Sequence, residues 1–152
     1  MGGGTIEIVE RKFSREGHAM KIQTLCAPLL LTLAAGLAQA ATPAELLAAY
    51  TAQSGGAAAS AERGQKLFNT NFGRDLGLSC ASCHGAPPTK AGKDAVSEKA
   101  IAPLAPAFNP KRFTDKAKVE TNFNQNCKDV VGRVCTPGEK ADVLAWLISL
   151  KP

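Results

Sequence analysis

Cys80-Ala81-Ser82-Cys83-His84 places two thiols about one helical turn apart, with an imidazole directly after the second. Thiols at that spacing can add to the two vinyl groups of one porphyrin, and the next residue is then brought to the iron. C-x-x-C-H is therefore the attachment pattern of c-type haem. On this reading Cys80 and Cys83 form the thioethers and His84 is the proximal iron ligand. Ala81 and Ser82 are small enough for the turn to lie close to the ring. A backbone carbonyl in the Gly85 to Pro88 stretch is expected to accept the other ring N–H of His84 and fix its tautomer. Competing chemistries fit less well. A thioredoxin-type dithiol needs a βαβ setting that the sequence lacks. A zinc site drawing on Cys80, Cys83, Cys127 and Cys135 would need wider spacing between its last two ligands than zinc sites use. A Cys80–Cys83 disulfide would be strained and would leave His84 unexplained.

The other side of the iron poses the harder question, because electron-carrying cytochromes place a methionine or a second histidine there. The chain holds only Met1, Met20, His18 and His84. The first three fall in a segment expected to be removed. From Met20 the sequence reads MKIQTLCAPLLLTLAAGLAQA, a lysine, an apolar run and an Ala-x-Ala site. That is the pattern of a secretory signal cleaved after Ala40. The run is short for a membrane span, and Cys26 opens it instead of closing it, which argues against a lipoprotein anchor. Residues 1–19 then form an upstream extension, 20–40 the signal peptide and 41–152 one small domain. The domain carries 14 Lys and Arg against 10 Asp and Glu. Such a mildly basic surface suits an acidic protein partner, but no basic run with interleaved aromatics points to nucleic acid. The even number of remaining cysteines fits an exported, periplasmic protein.

Neither usual distal ligand is left in residues 41–152, so the iron is five-coordinate, binds water, or uses an amide or a lysine amine. Asn122, Asn124 and Asn126 stand just ahead of Cys127. Val119, Asn122 and Asn126 share one face of a helix, whereas Asn124 points elsewhere. Asparagine is also common at helix ends as a cap or turn residue. Haem attachment leaves Cys127 and Cys135 as the free pair, expected to form a disulfide that closes a short loop beside Asn126.

Helices are expected to position these groups, because no clear strand alternation appears. Thr42-Pro43-Ala44-Glu45 and Thr136-Pro137-Gly138-Glu139 are capping boxes with proline at the first helical position. Ser60 caps a second helix through AERGQKLF, and Thr114 is expected to cap a third, DKAKVETNFNQN. Val143, Leu144, Leu147 and Ile148 give the last helix an apolar stripe, with Trp146 at or near the core. Prolines at 87, 88, 103, 106 and 110 keep the segment between them extended.

TPAELLAAY, AERGQKLF, CASCHG, IAPLAP, KRFTDKAKVE, NCKDVVGRVC and CTPGEKADVLAWL together resemble the sphaeroides haem protein family of oxygen-binding c-type cytochromes, and more distantly the cytochrome c″ group. The resemblance covers nearly all of residues 41–152. It implies an all-α, class I cytochrome c-like fold around one covalent haem c. Its most specific element is a ligand directly before the first cysteine of a C-x(7)-C disulfide, here Asn126, with Asn122 as rival. It further implies that this ligand is present in the ferric state and leaves on reduction, so that ferrous iron can bind O2, CO or NO. The electron donor it implies is a dihaem cytochrome c or a membrane cytochrome b. An electron shuttle that retains its sixth ligand is the alternative. Enzymatic peroxide or oxygen reduction ranks lower, since no His/Arg pair stands ready for peroxide cleavage.

Overall fold

The computed structural model describes Met1, residues 40–74 and residues 77–152. The upstream extension and signal expected over residues 1–40 lie, Met1 and Ala40 apart, outside the described residues. From Ala40 onward the elements are α1 (Pro43–Gln53), α2 (Ala61–Asn69), α3 (Cys80–His84), a two-stranded antiparallel hairpin of β1 (Gly92–Lys93) and β2 (Ala100–Ile101), α4 (Lys116–Val131) and α5 (Pro137–Ser149). Local chemistry sets most of the starts. The Thr42 and Thr136 hydroxyls each accept the backbone N–H three residues on, and the Glu45 and Glu139 side chains return the bond to the cap residue. Both capping boxes satisfy amide groups that a helix start otherwise leaves orphaned.

Helices α1 and α2 both pack on α5. Leu46 and Tyr50 from α1, Phe68 from α2 and Leu144, Trp146 and Leu147 from α5 are buried together, with Phe113 and Val119 completing the core. The α2–α5 crossing is close enough that a Cβ on Gly64 would collide with the backbone carbonyl of Asp142. Beside it Asp142 is buried and fully engaged. It accepts from the Ser60 amide at 2.6 Å and from Arg63 Nε and Nη2 at 2.7 and 2.8 Å. This carboxylate thus fastens the first turn of α2 to α5.

Helix α4 differs from expectation at both ends. Asp115, not Thr114, is its cap and accepts the Lys118 amide at 3.0 Å. Thr114 is occupied elsewhere: its hydroxyl donates to the Lys111 carbonyl and its own carbonyl accepts the Ala41 amide. The helix also runs on past Asn126 through Cys127 to Val131, where Gly132 turns the chain at φ +84°. Cys127 and Cys135 are joined by a disulfide with Cα atoms 5.7 Å apart. This closes the short link to α5 and removes both thiols from any zinc site. Arg133 spans the same link with a two-point bond to Glu139 at 2.6 and 2.7 Å. Among the described residues no helix is long and apolar enough to cross a membrane.

Gly64→Ala is expected to force α2 and α5 apart and lower stability by about 1–3 kcal/mol, read as a lower melting temperature. The Arg133 hydrogen bonds hold the Glu139 carboxyl at about 2, below its ordinary 4.5. A carboxyl depressed by folding stabilises the fold above its ordinary value and loses that contribution as the pH falls through its folded value. Melting temperature should therefore drop between pH 4.5 and about 2, and Glu139→Gln should flatten part of that drop.

Candidate haem site

The short helix α3 carries the C-x-x-C-H motif and is built by its own sequence. Ser79 Oγ accepts the Ser82 amide at 3.2 Å, and Ser82 Oγ accepts the Ser79 amide at 3.0 Å. Ser82, expected only to be small, therefore closes a capping box within the motif. Gly85, at φ +82°, ends the helix. From the other side β1 presses on it: a Cβ on Gly92 would collide with the Cys83 carbonyl. The Ala95 amide donates to Cys83 Sγ at 3.4 Å.

His84 rests on the core. Its ring lies 6.2 Å from Phe68, which in turn stacks on Trp146 at 4.9 Å between centroids. Nδ1 is buried and has no hydrogen-bond partner, so the nitrogen with access to the cavity is Nε2. The expected bond from Nδ1 to a carbonyl of the following loop is not made. The Pro88 carbonyl accepts the Leu104 and Ala105 amides instead, which locks the proline-rich segment. Arg112 completes that lock, donating from Nε to the Pro103 carbonyl at 2.9 Å and from Nη2 to the Ala102 carbonyl at 2.6 Å. Burial, and then the Arg112 charge, make His84 harder to protonate. A neutral imidazole is what metal ligation requires.

A cavity of about 660 Å³ opens above α3, within the range of sites that take an organic cofactor. Cys80, Cys83 and His84 line it, and so do Val119, Asn122 and Asn126 from α4. Leu67, Phe68, Leu104, Phe113 and Leu147 supply apolar walls. Both thiols of the motif are free, and burial pushes that of Cys80 up to about 11. A covalent haem fits this donor set: two free thiols, an imidazole that burial makes hard to protonate, apolar walls and two amides lining the same cavity. Asn124 does not reach the cavity. Its Oδ1 accepts from Lys140 Nζ at 3.2 Å, so of the three asparagines only Asn122 and Asn126 are brought to the site.

Sequence reasoning missed Ser82, Arg112, Gly92 and Lys140. Ser79-x-x-Ser82 departs from the usual capping-box pattern, which ends in Glu or Gln. The other three act on residues distant in sequence and leave no local signal.

A family model described as "Domain of unknown function (DUF1924)" matches residues 54–147. The chain is 52% identical over 113 residues to the cytochrome c-type protein SHP of Cereibacter sphaeroides, covering 73% of this chain and 86% of that protein. The structure of oxidized SHP, an oxygen-binding cytochrome c, superposes with a TM-score of 0.66 at 51% identity, covering 73% of this chain and 99% of that one. The solution structure of Methylophilus methylotrophus cytochrome c″, described for its haem-ligand detachment, superposes with a TM-score of 0.63 at 39% identity, over 72% and 94% of the two chains.

Gly92→Ala should displace the Cys83 backbone and with it the thiol. The expected result is a clear fall in the fraction of purified protein that carries covalent haem, measured by mass spectrometry, with the α1–α2–α5 core still folded by circular dichroism.

Proposed function

The chain belongs to the c-type cytochrome family of SHP and cytochrome c″, and from that premise we propose that it is an exported redox protein whose iron exchanges an asparagine for a small diatomic ligand. Like its relatives it is a cytochrome with covalent haem c, not an enzyme. When bound, the haem supplies an iron that changes oxidation state and can hold one ligand on each face. The chain's residues do the rest. Cys80 and Cys83 attach the group, His84 holds the proximal side, and Asn126 supplies a side-chain amide to the distal side in the ferric state.

The observation that carries this reading is that His84, Asn122 and Asn126 line one cavity. Asn126 is preferred over Asn122 because it adjoins Cys127, whose disulfide to Cys135 restrains the backbone there. A neutral amide is a hard, weak donor that suits Fe(III) better than Fe(II), so Asn126 would hold the ferric group and would give way on reduction to O2, CO or NO. Weak bonds need preorganised partners, since they supply little free energy to order a mobile segment.

Export is supported by the disulfide, which belongs in an oxidising compartment. It is also supported by Ala41, the first residue after the expected cleavage site, whose amide donates to the Thr114 carbonyl at 3.0 Å while its side chain packs on the core. Lys111, Lys118 and Lys128 border the cavity and suit an acidic electron donor, for which a dihaem cytochrome c or a membrane cytochrome b is the proposed type.

Asn126→Ala should convert the ferric protein from an amide-bound spectrum to a water-bound or five-coordinate one, while CO binding to the ferrous form changes much less. Asn122→Ala should leave both unchanged. The reverse pattern would transfer the ligand role to Asn122. A ferrous wild type that stays low-spin and ignores CO would mean a retained sixth ligand and a plain electron shuttle.

A further inference from the structure

Helix α4 does not share the close backbone packing that joins α1 and α2 to α5. Side chains span the gap, and one of them is a lysine. Lys140, near the start of α5, is 6% exposed. Its Nζ donates to Glu120 Oε2 at 2.7 Å and to Asn124 Oδ1 at 3.2 Å, both on α4 and one turn apart. The same ammonium lies 5.7 Å from the centroid of the Tyr50 ring and 5.9 Å from that of Phe123. Those two rings meet edge to face at 6.0 Å. Tyr50 comes from α1 and Phe123 from α4, so one buried charge holds three helices together. Burial opposes ionisation of Glu120, but the Lys140 and Tyr50 hydrogen bonds together with the Lys140 and Lys116 charges keep the carboxyl below its ordinary value.

Helix α4 thus has two side-chain tethers with different effects. The Cys127–Cys135 disulfide fixes its last turns along the axis. The Lys140 bonds fix which way the middle of the helix faces. Asn124 and Asn126 are two residues apart, about 200° around a helix. With Asn124 held on Lys140, Asn126 is turned to the opposite side, and the cavity is there. Phe123 links the two directly, since it packs on Tyr50 and also lines the cavity.

We propose that Lys140 is a positioning residue: by gripping Glu120 and Asn124 it sets the rotation of α4 and so aims the Asn126 amide at the distal side of the haem. The proposal rests on Asn126 being the ferric ligand. A buried ion pair is a poor device for stability alone, because an apolar replacement of similar volume is often neutral or better. Its best-attested use is to select one register. A rotation of α4 by one residue, about 100°, would carry Asn126 away from the cavity, and it would also turn the buried Val119 and Val130 out of place. The Lys140 bonds forbid that rotation, because it would strand an ammonium and a carboxylate without partners.

The test uses the holoprotein with haem attached and compares Lys140→Met, Asn126→Ala and Asp142→Asn. The last weakens the link between α2 and α5 without touching α4. Ferric spin state is read by absorption and electron paramagnetic resonance, CO association with the ferrous form by flash photolysis, and stability by thermal melting. Lys140→Met is expected to reduce the ratio of amide-bound to amide-free ferric iron about tenfold, with ferrous CO association within about twofold of wild type, since the amide has already left in that state. Asp142→Asn is expected to lower the melting temperature and leave the ferric spectrum as it was. A wild-type ferric spectrum in Lys140→Met, while Asn126→Ala turns water-bound or five-coordinate, would overturn the positioning role alone. An unchanged ferric spectrum in Asn126→Ala would overturn the ligand assignment and this proposal with it. The same spectral change in Asp142→Asn would reduce Lys140 to general stability. Should Lys140→Met fail to accumulate, Glu120→Gln and Asn124→Leu release the same grip from the α4 side and are judged by the same spectra.

Discussion

The absence of a side chain at Gly64 lets α2 lie against the backbone of Asp142 on α5, and the rest of the structure follows from that approach. With the two helices this close, the Phe68 and Trp146 rings pack 4.9 Å apart at a tilt of 57°, and His84 lies against Phe68. The proposed proximal ligand is therefore backed by the α2–α5 core. Truncating a buried aromatic of this kind costs on the order of 3–5 kcal/mol, so the imidazole has a stiff support. The Arg63–Asp142–Ser60 bonds add a polar fastening beside the glycine, where the first turn of α2 would otherwise have free amide groups. Gly92 repeats the device on a smaller scale, since the hairpin can lie on the Cys83 carbonyl only because no Cβ intervenes.

The two sides of the cavity are built on different principles. The His84 side is a rigid stack, whereas the α4 side stands off from the core and is held by a disulfide and a network of long side chains. This asymmetry matches the demands of the two proposed ligands. An imidazole would be a strong donor in both oxidation states, whereas an amide would be a weak one whose bond depends on how well the helix presents it. Differences of about 1.4 kcal/mol, tenfold in occupancy, lie within reach of a few hydrogen bonds along α4. A weak ligand on an adjustable helix can respond to one electron; a ligand embedded in the core could not.

The site's chemistry was legible in the sequence wherever it is local. CASCH with its free thiols, the capping boxes at Thr42 and Thr136, and the pairing of Cys127 with Cys135 all depend on residues within a few positions of one another, and their spacing carries the information. Placing Asn122 and Asn126 on one face needed only the helical period. The start of α4 was misjudged by one residue because Thr114 and Asp115 are both good caps, and the choice falls to a distant partner: the Thr114 carbonyl accepts the Ala41 amide. Arg112 and Lys140 gave no signal at all. Each is one basic residue among many, and its role comes from carbonyls or side chains that the fold brings to it from elsewhere. The missing bond at His84 Nδ1 has the same origin, since the Pro88 carbonyl is claimed by two amides of the Leu104–Ala105 turn.

Why a lysine occupies the middle of an otherwise apolar α1–α4–α5 junction is a matter of specificity more than of binding energy. Apolar burial is non-directional, so it resists a small turn of a helix only weakly. An ammonium with two acceptors on the same helix face is not indifferent, because turning leaves it buried and unpaired, and an unsatisfied buried charge costs several kcal/mol. Tyr50 and Phe123 sharpen the contrast, because their ring faces favour a cation over that spot. A junction that needed only to cohere would be served as well by leucine. One that must deliver a weakly binding amide to a fixed point needs a contact that fails when the helix is turned, and Lys140 makes such a contact.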